Sequence, residues 1–142
     1  MAIHRIQETT NVTRKSFSRA LWAALFAAAL TGPAVADIKD YAFELVQREA
    51  KVGEAVLSVR LVDRRTGKPV TDAVIFAKRI DMAPDSMEEM VSKIEQVPST
   101  EPGVYRFRAK LSMAGGWRLS LGAKVQGETG TVENKLVFQA VK

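Results

Sequence analysis

The sequence predicts an all-β fold, an Ig-like β-sandwich of about seven strands that follows an N-terminal signal peptide. Short segments between residues 41 and 141 alternate apolar and polar side chains with a period of two, as half-buried strands do. Turn-forming residues separate these segments at 64–69, 100–103, 114–116 and 127–130. Short strands at this spacing, without long helical patterns, are typical of an Ig-like sandwich.

Each predicted strand has one series of side chains that we expect to lie on a single face. In the segment after the 64–69 turn, we expect Val74, Phe76, Lys78 and Ile80 to share one face. The remaining alternating series are Tyr41, Phe43 and Leu45; Leu57, Val59 and Leu61; Tyr105, Phe107, Ala109 and Leu111; Trp117, Leu119, Leu121 and Ala123; and Val132, Leu136, Phe138 and Ala140.

Residues 1–36 have the three parts of a secretory signal peptide. A basic region containing Arg14, Lys15 and Arg19 precedes an apolar run of eleven residues at 20–30, and Ala34–Ala36 has the small-x-small cleavage pattern. Eleven residues are too few to cross a bilayer core, which needs roughly 20. We therefore expect cleavage before Asp37 and a periplasmic domain of residues 37–142.

Two alternatives for this leader remain open. One is an uncleaved membrane anchor, which the helix-breaking Gly32 and Pro33 disfavour. The other concerns the export route, because residues 13–19 resemble the twin-arginine motif with Lys15 in place of its second arginine. The general secretory route is the preferred interpretation, and on either route the exported domain does not span the membrane.

Composition excludes most catalytic sites and gives no support to nucleic-acid binding. The chain has no cysteine, and its only histidine, His4, lies in the leader, so residues 37–142 offer neither a thiolate nor an imidazole. Four of the 21 basic residues but only one of the 16 acidic residues precede Asp37, so the exported domain is nearly neutral. We expect a protein that is not an enzyme.

Residues 81–97 depart from the alternating pattern and allow two interpretations. Ser86 and Glu89 have the spacing of a helix capping box. The apolar residues Met87, Met90, Val91 and Ile94 fit a helical stripe. The preferred prediction is a loop with one helical turn. The alternative is a loop to about Met90 followed by a strand through Ile94 and Val97. The carboxylates in this segment are expected to be solvated: Asp81, Asp85, Glu88 and Glu89.

The methionines are the candidate metal ligands. Met82, Met87 and Met90 fall within nine residues, and Met113 precedes a Gly115-Gly116 turn that is expected at a sandwich end near the 81–90 loop. Thioethers are soft, neutral ligands that select Cu(I). The alternative is that Met87 and Met90 only pack the loop onto the sandwich, since methionine fills irregular gaps well.

Five motifs in order resemble the FixH/YtkA-like family of small extracytoplasmic β-sandwich domains. They are DRRTGKPV at 63–70, DAV at 72–74, DMAPDSMEEM at 81–90, PGVY at 102–105 and LSMAGGW at 111–117. The resemblance implies a place beside copper-handling systems, either cytochrome oxidase assembly or heavy-metal efflux. It also implies that the family's methionine-bearing segments fall on Met82, Met87, Met90 and Met113. The chain lacks the histidine that often accompanies those methionines.

Two functions follow from these observations. The first is a periplasmic accessory protein that binds Cu(I) or a similar soft ion through methionines and delivers it to an efflux or oxidase-assembly complex. The second is a metal-free interaction module that docks on a membrane transport or assembly complex through a strand edge or the 81–97 segment.

The position of Trp117 also allows two interpretations. We expect its side chain to lie in the core beneath the turn. The alternative is that Trp117 lies over the methionines and covers them.

Overall fold

A computed structural model describes residues 37–142 of the chain. The predicted signal peptide and its cleavage site therefore lie outside the described residues. Within residues 37–142, no helix has both the length and the apolar character needed to cross a membrane.

Ten strands and two short 3-10 turns make up the described part of the chain. The 3-10 turns are Ile38–Asp40 and Ala83–Asp85. The strands are β1 (Tyr41–Leu45), β2 (Glu49–Lys51), β3 (Gly53–Asp63), β4 (Lys68–Pro69), β5 (Ala73–Met82), β6 (Met87–Ser92), β7 (Ile94–Val97), β8 (Val104–Leu111), β9 (Gly115–Val125) and β10 (Val132–Val141).

The strands form two sheets of five strands, which confirms the predicted β-sandwich. The first sheet has the order β1-β3-β8-β7, with β4 paired to β3, and the second has the order β2-β10-β9-β5-β6. Every pairing is antiparallel except that of β2 with β10. The strands exceed the predicted number because β2 and β4 are too short to give a periodic signal and because residues 87–97 are also extended.

The core lies between the sheets and is built from the alternating residues. Leu57, Val59 and Leu61 of β3 are fully buried, and they belong to one core cluster with the inward series of β8 in the same sheet and of β9 in the other sheet. On one side of the sandwich, the backbone N–H of Phe43 in β1 donates to Asn134 Oδ1 in β10 at 2.8 Å. This contact links an edge strand of the first sheet to the second sheet.

The prediction for β5 was partly wrong because the strand contains a β-bulge. The register with β9 shifts between Ile75 and Ala77, so Phe76 is an extra residue with no partner on β9. Ile75 and Ile80 both face the core, whereas Val74 and Phe76 are 66% and 56% exposed. One extra residue in a strand moves the side chains before it to the opposite face of the sheet. A prediction from simple alternation therefore assigns those side chains to the wrong face.

The predicted helical turn at 86–94 is also wrong. Residues 87–92 form β6 and residues 94–97 form β7, and the short 3-10 turn at Ala83–Asp85 lies before the expected capping box. Ser86 instead has a left-handed backbone with a φ of 59° that ends this turn. The alternative of a later strand is closer to the structure, although the extended segment begins already at Met87.

Candidate metal and docking sites

The four methionines differ in burial and lie at or near one end of the second sheet. Met82 ends β5 and is fully buried in the core, and its Cα is paired with that of Met87 at the start of β6. Met87 is partly buried and packs against the core. Met90, in the irregular part of β6, is 37% exposed, and Met113, before β9, is 42% exposed.

The 3-10 turn at Ala83–Asp85 packs directly on the start of β9, as the sequence led us to expect for this end of the sandwich. The backbone N–H of Gly116 donates to Asp85 Oδ2 at 3.0 Å. Gly115 has a φ of 139°, and a Cβ placed on it would overlap Asp85 Oδ2 and come within 3.0 Å of Met82 Cε. Glycine at 115 thus permits the close approach of β9 to Met82, two residues after Met113.

Trp117 lies in the core, which was the preferred prediction for it. Its side chain is fully buried, and its indole Nε1–H donates to the carbonyl oxygen of Met113 at 3.1 Å. This hydrogen bond fixes the backbone of Met113 beside the turn while the Met113 side chain stays exposed. Trp117 therefore positions Met113, a candidate ligand, by holding the Met113 backbone. The aromatic ring of Trp117 belongs to the core.

A buried ionic cluster that the sequence analysis missed lies on the opposite face of the same strands. Asp81, expected to be solvated, is completely buried and is paired in register with Arg118 of β9. Asp81 Oδ2 accepts hydrogen bonds of 3.0 Å from Arg79 and from Arg118, and Oδ1 accepts one of 3.0 Å from the Ala83 amide. Arg118 also contacts Glu88 at 3.0 Å. The available signal was Arg79, two residues before Asp81 on the same strand face.

The electrostatics of this cluster stabilise the ionised carboxylate. Burial alone would raise the pKa of Asp81, but hydrogen bonds from Arg118, the Ala83 amide and Arg79 outweigh it and hold the pKa below its usual range. The same contact with Asp81 raises the pKa of Arg118. Because these hydrogen-bond donors occupy both carboxylate oxygens of Asp81, we interpret the cluster as a structural clamp that joins β5, β6 and β9.

Two further features bear on ligand binding. No group of three or more His, Cys, Asp or Glu residues within 37–142 is placed to hold a metal ion. A depression of about 590 Å³ lies over β5, β9 and β10, and it is lined by Ala77, Lys78, Arg79, Ser120, Leu121, Gly122, Glu133, Asn134 and Lys135. None of these lining residues is a methionine, so the depression is separate from the candidate metal ligands.

Comparison with known proteins decides the family. The profile of the YtkA-like family matches residues 36–122, which is more than half of the chain. The chain belongs to the YtkA-like family. All four candidate methionines of this YtkA-like domain lie within the matched region, as does the Asp81–Arg118 pair. No curated protein matches the sequence.

Three solved structures with similarity to the YtkA-like domain are distant from it in sequence. The Lin-41 filamin domain has 17% identity and a TM-score of 0.44, with 75% of this chain and 94% of that chain covered. The ZirS C-terminal domain has 12% identity and a TM-score of 0.44, with 76% of this chain and 70% of that chain covered. A conjugative transposon lipoprotein from Bacteroides eggerthii has 11% identity and a TM-score of 0.33, with 70% of this chain and 96% of that chain covered.

Proposed function

We propose that this YtkA-like domain is a periplasmic accessory protein that binds Cu(I), or a similar soft ion, through methionine thioethers. The observation that carries the proposal is the pairing of Met82 with Met87 across β5 and β6. Met113 lies two residues before Gly115, whose backbone approaches the Met82 methyl group. Thioether sulfur selects Cu(I) over harder ions and remains a ligand in an oxidising compartment.

The burial of the four side chains suggests how an ion would enter such a site. Met90 and Met113 are partly exposed, Met87 is half-buried, and Met82 belongs to the core. In our proposal the exposed thioethers receive the ion from solvent, and Met87 and Met82 complete its ligand set from the core side. Thioethers carry no charge, so the ion is held loosely enough to be transferred.

The recipient and the compartment are part of the same proposal. Residues 1–36 have the pattern of a signal peptide, which supports export to the periplasm. The resemblance to domains found beside copper-handling systems supports delivery to a metal-efflux or cytochrome oxidase assembly complex. Without cysteine, and without histidine in residues 37–142, the domain has a binding role in this proposal and no catalytic one.

Native mass spectrometry of residues 37–142, with and without added Cu(I), tests the metal proposal. We expect a mass increase of one copper ion that survives gentle desolvation. Zn(II) serves as the control ion, because sites made of thioethers alone bind borderline ions poorly. A spectrum that shows only the apoprotein under excess Cu(I) would contradict the proposal.

A second candidate function is a metal-free interaction module that docks on a membrane transport or assembly complex. The observation that favours it is a run of four exposed residues, Phe76–Arg79, in the middle of strand β5. Photo-crosslinking in cells from positions on β5 and on the 81–97 segment tests this function. A crosslink to a transport or assembly protein supports it, and crosslinks from neither surface would contradict it.

A further inference from the structure

Strand β5 has one open edge along most of its length. It pairs with β9 from Ala73 to Asp81, but it pairs with β6 only at Ile80, Asp81 and Met82. After Ser92 the chain leaves the second sheet, and β7 pairs with β8 in the first sheet. Among residues 37–142, no strand therefore covers the outer edge of residues 73–79.

The exposure of Lys78 agrees with this open edge. In a covered strand of a sandwich, every second side chain is buried. Phe76, Ala77, Lys78 and Arg79 are all exposed, although Lys78 occupies a core-facing register position beside the buried Leu121. On the opposite side of the sandwich, the hydrogen bond from Phe43 of β1 to Asn134 of β10 joins the two sheets. That side therefore has a contact between the sheets, whereas the outer edge of β5 is open.

The chemistry along the open edge changes from apolar to basic. Val74 and Phe76 at its first half are exposed apolar side chains. Lys78 and Arg79 follow, and Lys93 comes directly after Ser92, the residue paired with Ile80. Arg79 is engaged by Asp81, whereas Lys78 and Lys93 make no ion pair with the described residues.

We propose that residues 73–79 of β5 bind an extended segment of a partner protein by strand addition. The segment carries apolar side chains beside Val74 and Phe76 and acidic side chains beside Lys78. In this mode, backbone hydrogen bonds supply affinity, and alternate side chains supply specificity. The inference rests on the second candidate function and identifies the surface and the partner chemistry that would serve it.

Charge distinguishes this occupant from a second copy of the chain. An antiparallel pairing of two β5 edges centred near Lys78 would bring together Lys78 and Arg79 of both copies. Charged residues at an exposed edge, particularly lysine on an inward position, are a common device against self-association. An acidic segment turns the same lysine into an attractive contact, which is why we assign the edge to a different partner.

Binding of a synthetic peptide tests the proposal. The probe is a strand of about eight residues that alternates valine and glutamate, a length typical of single strands. We expect it to bind residues 37–142 and to slow amide hydrogen exchange within 73–79. We expect no binding of a peptide with lysine in place of glutamate, because it lacks the negative charge. We also expect no binding of a glutamate peptide that is N-methylated at alternate residues, because it lacks the backbone donors.

Charge reversal at one position provides the matched comparison. We expect Lys78→Glu to weaken binding of the glutamate peptide about fivefold, since attraction is replaced by repulsion. Lys110→Glu on β8 of the first sheet is the control and should leave binding unchanged. The proposal is overturned if the glutamate peptide does not bind, if the N-methylated peptide binds equally, if protection lies outside β5, or if sedimentation shows a dimer formed through this edge.

These outcomes are separable from failure of the proposed functions. Peptide binding at β5 does not require the methionines, so loss of Cu(I) binding leaves it unaffected. If cellular crosslinks arise from residues 81–97 and none arise from β5, the interaction-module function stands and the assignment of this edge is wrong.

Discussion

Arg118 donates a 3.0 Å hydrogen bond to Asp81 directly across the β5–β9 pair, and the carboxylate that it contacts is completely buried. The contact lies on the side of the second sheet that faces away from the core. It also connects to β6, because the same guanidinium group reaches Glu88 at 3.0 Å. The clamp thereby fixes the strands that carry Met82 and Met87.

Asp81→Asn tests the contribution of this clamp to stability. The substitution removes charge-assisted hydrogen bonds to a buried carboxylate, while Arg118 keeps its contact with Glu88, and we expect a loss of about 2 kcal/mol in the free energy of unfolding. Glu95→Gln is the matched control, since Glu95 and Arg108 form a pair whose side chains are 52% and 53% exposed. That substitution should cost less than about 1 kcal/mol. Urea denaturation measures both, and equal losses would contradict the buried clamp.

The lowered pKa of Asp81 predicts how stability changes with pH. A carboxylate with a pKa lower in the folded protein than in the unfolded chain stabilises the fold fully above its ordinary value, 3.8. This contribution is lost as the pH falls from there through the folded pKa. Wild type should therefore exceed Asp81→Asn in stability at neutral pH, and the difference should shrink below that value. Urea midpoints across an acid series measure it, and a constant difference would show that ionisation of Asp81 is not the cause.

The sandwich itself was predictable because most strands keep one face in the core. Leu57, Val59 and Leu61 show the alternation without interruption, and all three are fully buried as expected. The bulge at Phe76 was not predictable, because an extra residue in one strand is defined by its register with the partner strand. Single-sequence periodicity contains no information about register.

The candidate site was predicted less completely than the fold. The sequence indicated that the 81–90 segment lies near the Gly115-Gly116 turn, and the structure brings them into contact. It did not indicate that Asp81 is buried, because Arg118, its partner across the sheet, lies on β9, 37 residues later in the chain. Helical spacing at Met87 and Met90 was misleading, since pairing with β5 at Met82 and Asp81 favours an extended conformation over local helix propensity.

Gly115→Ala tests the close packing beside Met82. The new Cβ would overlap Asp85 Oδ2, and the backbone φ of 139° is itself unfavourable for alanine. Gly127→Ala is the control, because Gly127 also has a positive φ, 82°, but has no atom within 4 Å of the added Cβ. We expect a loss of about 1 kcal/mol at Gly127. At Gly115 we expect about 2 kcal/mol more, owing to overpacking. Equal losses in thermal or urea unfolding would contradict the close contact.

Processing of the N-terminus tests the predicted export. The small residues Ala34 and Ala36 predict cleavage before Asp37. The intact mass of protein from a periplasmic extract should correspond to residues 37–142. Recovery of the full-length chain from the membrane fraction would support the uncleaved anchor instead.

Titration of a Cu(I) indicator against wild type and the Met87→Leu, Met90→Leu double variant tests the proposed metal function most directly. Leucine keeps volume and hydrophobicity nearly constant, so we expect unfolding free energy to change by less than about 1.5 kcal/mol. Wild type should compete with the indicator for Cu(I), and the variant should compete far more weakly. If wild type fails to compete, or if the variant competes equally well, Met87 and Met90 are packing residues and the Cu(I) proposal is wrong.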